Sequence, residues 1–211
     1  IPVIIKDNGE VTYADTKMEW YDNENKIWAN AVILVSSSSK DYNAGDTILE
    51  SDIESYFVWI PKYSYKLWDL GTYDSLTSVN TSKVHSIDIV FGTTNTSDSA
   101  TECETPLTSG ASGNCAVGKY MTHPAFITLN KTGIWVGKFE TGYKGATSTA
   151  EAQVDSVDKT KIIVKPNVYS WRNINVSNAY NVSLAYNANL ESHMMKNTEW
   201  GAIAYLSHSA Y

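Results

Sequence analysis

Short apolar runs recur along the chain between polar turns, and one of them passes into alternation of hydrophobic and polar positions, which is the pattern of β-strands. The stretches that predict strands are residues 1–5, 11–13, 31–35, 56–68, 87–91, 133–140 and 161–166. The turn signal Asp7-Asn8-Gly9 predicts a hairpin between the first two. Pro61 lies inside the longest stretch, where a proline requires an edge, a bulge or a bend.

Helical spacing comes late in the chain. Residues 176–186 place Ala179, Val182 and Tyr186 on one stripe, with Asn175 or Ser177 as the N-cap. Residues 197–206 predict a second helix, in which Trp200, Ile203 and Ala204 share a face. The stretch 51–54 predicts a helix cap or turn, and 92–118 a long polar loop. Mostly short strands and loops with two late helices indicate an α+β protein.

Composition and charge exclude some classes of partner. The chain has 211 residues, with 16 Lys and Arg against 23 Asp and Glu, and a net charge of −7. No basic cluster exists, so nucleic acid is not an expected partner. No apolar run approaches the roughly 18–20 residues that span a bilayer. The chain opens on Ile1-Pro2 without a charged leader, which indicates that any signal or anchor has been removed or lies outside the sequence.

Two cysteines, Cys103 and Cys115, bracket a Ser- and Gly-rich stretch. This spacing predicts a local disulfide that closes one loop in an oxidising compartment. The alternative is two free loop thiols. A metal site would need further ligands nearby, so none is expected.

The sequence offers no group that could carry nucleophilic catalysis. The four histidines, at 85, 123, 193 and 208, lack metal-binding spacing, and no nucleophile elbow or phosphate-binding loop occurs. Glu140 and Glu199 lie in apolar stretches, where each is either a functional acid or a structural acceptor of backbone donors. We favour the structural role and expect no catalytic residue, cofactor or metal.

The aromatic residues divide into two groups. Some tyrosines border loops and could supply a contact surface. Trp59, Trp135, Trp171 and Trp200 sit in core-like patterns. Four residues that flank strand ends are candidate exposed contacts, although they could equally pack the irregular half of the fold: Tyr143, Tyr169, Trp171 and Arg172.

Five blocks, taken in order, resemble a known family. They are 57–61 (FVWIP), 122–126 (THPAF), 134–141 (IWVGKFET), 176–180 (VSNAY) and 193–204 (HMMKNTEWGAIA). Together they resemble the formylglycine-generating-enzyme-like (sulfatase-modifying factor) branch of the C-type lectin fold. Within it, the chain looks most like bacterial and phage surface proteins of the diversity-generating-retroelement variable-protein type.

The resemblance implies a C-type-lectin-like domain over residues 51–211, preceded by a β-rich extension with a hairpin over residues 1–50. It matches Glu140 to the family's internal acid and Glu199-Trp200 to its helix-anchoring pair. In that family the active cysteines, calcium sites and diversified loops follow this helix. The sequence ends at Tyr211, so the resemblance predicts that the C-terminal part of the domain is missing and transfers no catalytic apparatus.

Together, these expectations predict that the protein is a non-enzymatic, extracellular ligand-binding or display module on a bacterial surface, filament or phage particle. Its partner would be a protein or glycan on another cell or surface. The alternative is a structural subunit of a pilus, tube or phage tail that self-assembles through edge strands. A formylglycine-generating-like oxidoreductase is the third hypothesis, and Cys103 and Cys115 lie in the wrong block for it.

Overall fold

The computed structural model describes residues 1–15, 17–23, 25–35, 42–66, 87–92, 121–129 and 131–211. Within these residues the protein is mixed α and β, with mostly short antiparallel strands and three helices, as the α+β prediction requires. The strands are β1 (Pro2–Ile5), β2 (Val11–Tyr13), β3 (Asn30–Leu34), β4 (Thr47–Ile48), β5 (Ile53–Pro61), β6 (Tyr63–Lys66), β7 (Asp88–Phe91), β8 (Met121–Thr122), β9 (Gly133–Gly137), β10 (Gly142–Tyr143) and β11 (Ile162–Ile163). The helices are α1 (Pro124–Leu129), α2 (Val176–Tyr186) and α3 (Asn197–Ser207), with short 3-10 turns at Glu50–Asp52, Lys159–Lys161 and Ala188–Leu190.

The chain divides into two compact units that interleave in sequence. Unit 1 consists of Ile1–Trp59 and Trp135–Met194, and unit 2 of Ile60–Ile134 and Met195–Tyr211. This division differs from the predicted one, an extension over 1–50 and a domain over 51–211. The reason is that β3 pairs with β5, so strands on both sides of residue 50 belong to one sheet.

A six-stranded sheet in the order β4-β2-β1-β3-β5-β9 contains the strands of unit 1's N-terminal segment. The predicted hairpin is present as β1 and β2, and Gly9 takes the positive φ of 84° that its turn requires. One face of the sheet carries a buried apolar cluster, because alternate residues of paired strands point to the same side. Its members are Val3, Val11, Val32, Ile48, Ile53 and Tyr56.

Helix α2 covers a second apolar cluster of unit 1, formed by Ile162, Val164 and Val182. The helix has the bounds predicted from the sequence, and Asn175 is its N-cap. The Asn175 side chain accepts a hydrogen bond from the Asn178 amide, and Asp155 accepts from the Asn175 amide and side chain. A short asparagine cap therefore joins α2 to the loop that carries Asp155.

Unit 2 contains the antiparallel sheet β7-β6-β8 together with α1 and α3. The Tyr63 ring is fully buried, and its hydroxyl donates to the Ala202 carbonyl at 2.6 Å. His123 and Phe126 pack their rings against Tyr63. Aromatic side chains thus connect β6 to both helices of the unit.

Two helical details depart from the sequence-based expectations. The buried residues of α3 are Glu199, Ala202 and Leu206, whereas Trp200, expected in a core-like position, is 63% exposed. Helix α1 was not predicted, because six residues behind a proline are too few to show a helical period. The stretch at 51–54 proves to be a 3-10 turn leading into β5. Cys103, Cys115 and their predicted disulfide lie outside the described residues.

Candidate functional site

A small β-ribbon in unit 1 brings three of the predicted contact residues together. Strand β10 pairs with β11 on one side, with Gly142 opposite Ile163 and Tyr143 opposite Ile162. On its other side Gly142 bridges to Ser170. The Tyr143 amide donates to the Tyr169 carbonyl at 3.0 Å, and the Trp171 amide donates to the Thr141 carbonyl at 2.9 Å. Residues 169–171 therefore serve as a third strand beside β10.

This register places Tyr143, Tyr169 and Trp171 on the same side of the ribbon. Side chains alternate along each strand, and residues opposite each other in an antiparallel pair share a face. The Tyr143 and Trp171 rings meet edge to face, with centroids 5.1 Å apart. We call Tyr143, Tyr169 and Trp171 the aromatic face.

The other side of the ribbon explains why residue 142 is a glycine. A Cβ at this position would lie 2.6 Å from Cγ2 of Val168 and 3.0 Å from Cγ2 of Ile163. Those distances are shorter than van der Waals contact, so only glycine lets the strands approach. The close packing fixes the backbone from which the aromatic face projects.

The three aromatic side chains differ in how much of each is buried. Trp171 is half-buried against the α2 cluster, and its indole N–H donates to the Val154 carbonyl at 2.7 Å. Tyr143 is also half-buried, whereas Tyr169 is 43% exposed. Trp171 is therefore an anchor for the fold, and Tyr169 is the ring that offers the most surface to a ligand.

Lys161 lies at the aromatic face, and a second cation, Arg172, follows Trp171 in the chain. The Lys161 ammonium lies 5.6 Å from the Tyr143 ring centroid, a cation–π distance. Arg172, the single arginine of the sequence, is exposed. Its amide donates to the Ala152 carbonyl and its carbonyl accepts from the Val154 amide, which fixes its backbone. Among the described residues, no carboxylate forms an ion pair with Arg172 or Lys161.

The two carboxylates singled out in the sequence have different surroundings. Glu199 is buried and accepts the Lys196 amide at 2.7 Å, which satisfies a free donor at the start of α3. Glu140 is exposed, and its carboxylate accepts the Ser170 hydroxyl at 2.9 Å. The structure therefore places Glu140 beside the ribbon, and it places Glu199 in unit 2 with the exposed Trp200.

Sequence reasoning missed two further groups in unit 1. Trp59 and Trp135, expected in core-like positions, have ring centroids 5.3 Å apart, and Trp135 is 45% exposed. Lys138 donates from Nζ to Oδ1 of Asn30 at 2.9 Å. The tryptophan pair and the Lys138–Asn30 contact both depend on β5 and β9 being neighbours in the sheet. No sequence pattern within either strand predicts that pairing.

The part of the chain that the structure describes contains neither a cluster of metal ligands nor a membrane-spanning helix. There, His, Cys, Asp and Glu side chains nowhere gather in groups of three that could hold a metal ion. No helix of that part of the chain has both the length and the apolar character needed to cross a membrane.

Comparison with protein families, with curated proteins and with solved structures gave no significant match to the chain.

Proposed function

We propose that the protein is a non-enzymatic ligand-binding module that contacts its ligand through the aromatic face and through Arg172, the residue after Trp171. The observation that carries this proposal is the ribbon register, which gathers Tyr143, Tyr169 and Trp171 on one side of a hydrogen-bonded scaffold. Rigid aromatic rings supply contact area at low cost in conformational entropy. A fixed scaffold with exposed aromatic and arginine side chains is typical of binding surfaces.

The chemistry of this surface supports binding rather than catalysis. Arg172 and Lys161 supply hydrogen-bond donors and positive charge. An arginine guanidinium can donate two parallel hydrogen bonds to a carboxylate. The ligand we propose is a protein or glycan on another cell or surface, and the site of action is extracellular, on a bacterial surface, filament or phage particle.

The test is a binding screen of the wild-type chain against an array of neutral and acidic oligosaccharides and a panel of immobilised peptides. Tyr169→Ala and Arg172→Ala should each weaken a positive interaction about tenfold or more, as truncation of a central contact does. Tyr180→Ala is the matched control, because Tyr180 is an equally exposed tyrosine on α2.

Two results would contradict the proposal. One is binding that Tyr169→Ala and Arg172→Ala leave unchanged while circular dichroism shows both variants folded. The other is the absence of binding to every probe. Filaments of the purified chain in electron micrographs would instead favour the structural-subunit hypothesis.

A further inference from the structure

Lys138 and Asn30 meet across the central strand of the unit 1 sheet. Lys138 directly follows β9, Asn30 begins β3, and β5 lies between these two strands. The Lys138 amide donates to the Tyr56 carbonyl in β5 at 3.0 Å. Its side chain then passes over β5, and Nζ lies 2.9 Å from Oδ1 of Asn30. A primary amine therefore lies beside a primary amide.

The amide is held in place on both sides. Asn30 is 8% exposed, and its Nδ2 donates to the Trp28 carbonyl at 2.7 Å while its Oδ1 accepts from Lys138. These two hydrogen bonds fix the plane of the Asn30 amide. Cγ is one bond from Oδ1, so the amine has to move only a short way from its hydrogen bond to reach the carbon.

The amine is more reactive than that of a fully solvated lysine. Partial burial lowers the pKa of Lys138, because the charged form loses hydration. Within the described part of the chain, no carboxylate forms an ion pair with Lys138 that would hold it protonated. A larger fraction of the amine is therefore neutral and nucleophilic at a given pH.

We propose that Lys138 and Asn30 react to form an intramolecular isopeptide bond, a modification independent of the ligand-binding function. The neutral Nζ attacks Cγ of Asn30, and a new C–N bond forms. One Nζ proton passes to Nδ2, the Cγ–Nδ2 bond breaks, and ammonia leaves. A primary amine and a primary amide thus become a secondary amide and ammonia, with no oxidant or reductant.

The reaction needs no further reagent, because the fold holds both partners together. Backbone amides attack the same side-chain carbon when asparagine deamidates spontaneously, and an amine is the stronger nucleophile. Intramolecular reactions whose partners are well oriented reach effective concentrations of about 10⁵–10⁸ M. Lys138 is exposed on its outer side, so water can relay the proton and carry ammonia away.

The experiment measures the purified wild-type chain by mass spectrometry after reduction, so that any disulfide does not contribute. The bond lowers the intact mass by about 17 Da, one ammonia. It also stops trypsin from cleaving after Lys138 and yields a branched peptide that contains residues 30 and 138. We expect the branched peptide to increase during incubation at about pH 9, where more of the amine is neutral.

Controls separate the crosslink from other losses of ammonia. Cyclisation at Asn8-Gly9 would give the same mass change without a branched peptide. Tandem mass spectrometry that identifies the branched peptide containing residues 30 and 138 therefore distinguishes the crosslink from cyclisation. Lys138→Arg and Asn30→Ala should each abolish it, whereas Lys144→Arg, at a lysine paired with Glu54, should retain it. The absence of a branched peptide from wild type after prolonged incubation at about pH 9 would overturn the proposal and leave a simple hydrogen bond.

Discussion

The His123 imidazole in unit 2 is surrounded by aromatic rings and is only 4% exposed. Its centroid lies 5.5 Å from that of Tyr63, 5.6 Å from Tyr65 and 5.1 Å from Tyr205. Nδ1 accepts the Ala125 amide at 3.2 Å, so the neutral ring carries its proton on Nε2, next to Gly201. Burial lowers the pKa of His123 to about 4. Protonation would therefore place an unpaired charge among hydrocarbon and phenol groups.

The stability of the protein should depend on this histidine below neutral pH. Between about pH 6.5 and 4, unfolded His123 binds a proton that the folded form does not, so stability falls as the pH falls through this window. The shift from 6.5 to about 4 corresponds to about 3 kcal/mol. Urea unfolding of wild type and His123→Phe at several pH values measures the difference, and carboxylate effects common to both cancel.

The variant should lose less stability than wild type on acidification. Equal slopes for the two proteins would contradict the assignment. If His123→Phe does not fold, the imidazole can be followed by NMR in wild type, where its resonance should stay constant down to about pH 5.

Two glycines should respond in opposite directions to alanine. Gly142→Ala brings Cβ to 2.6 Å from Cγ2 of Val168 and should destabilise unit 1 by about 1–3 kcal/mol. Gly201→Ala, within α3, places Cβ at 3.5 Å from Nε2 of His123, an ordinary contact. It should be neutral or stabilise by up to about 1 kcal/mol, because alanine favours helix over glycine. Denaturation midpoints measure both, and a tolerated Gly142→Ala would contradict the ribbon geometry.

Helix α2 depends on its asparagine cap rather than on charge. It contains no charged residue, and Asn175 satisfies the Asn178 amide. Asn175→Ala should therefore cost about 1 kcal/mol in the free energy of unfolding. Asn181→Ala is the control, because this exposed position lies inside the helix, where alanine is the better helix former. Equal effects of the two substitutions would show that the cap does not stabilise α2.

Sequence patterns correctly predicted the elements whose defining residues lie close together in the chain. The β1–β2 hairpin has its turn residues in place, and α2 has both a cap and a periodic stripe. Helix α3 does not follow its core-like pattern, because Trp200 is exposed. Three of its residues are buried, one of them the carboxylate Glu199, which no hydrophobic pattern can mark. Because one of the three buried residues is a glutamate, a hydrophobic pattern does not show which face of this short helix is buried.

The aromatic face was predictable in its members but not in its geometry. Tyr143, Tyr169 and Trp171 were selected because they flank strand ends, yet their common side follows from the pairing of β10 with residues 169–171. That pairing joins segments more than 20 residues apart, which the alternation within either one does not encode. The Lys138–Asn30 contact was missed for the same reason, since it spans 108 positions.

The division of the whole molecule into two units can be tested by removing α3. Met195–Tyr211 supplies the Ala202 carbonyl to Tyr63, the Tyr205 ring to Tyr65 and the Tyr211 ring to Phe91. Deleting residues 195–211 should remove amide-exchange protection from β6 and β7 and leave that of β1–β3 in place. Hydrogen exchange with mass spectrometry measures this, and equal loss in all five strands would contradict two separate units.

A single substitution should produce a smaller loss of exchange protection in unit 2. Tyr63→Phe removes the hydrogen bond to the Ala202 carbonyl and should cost unit 2 about 1 kcal/mol. The protection of β6 should fall in proportion, while that of β3 should not change.

Because the two units interleave in sequence, their segments are made in a fixed order during synthesis on the ribosome. All six strands of the unit 1 sheet have been made once Gly137 is added. Tyr63 must wait for Ala202, 139 residues later, which at usual elongation rates is on the order of ten seconds. For that interval a nascent chain carries the aromatic side chains of β6 and α1 without the helix that closes over them. The aromatic side chains of β6 and α1 are therefore the expected binding site of a holdase chaperone until α3 has been made.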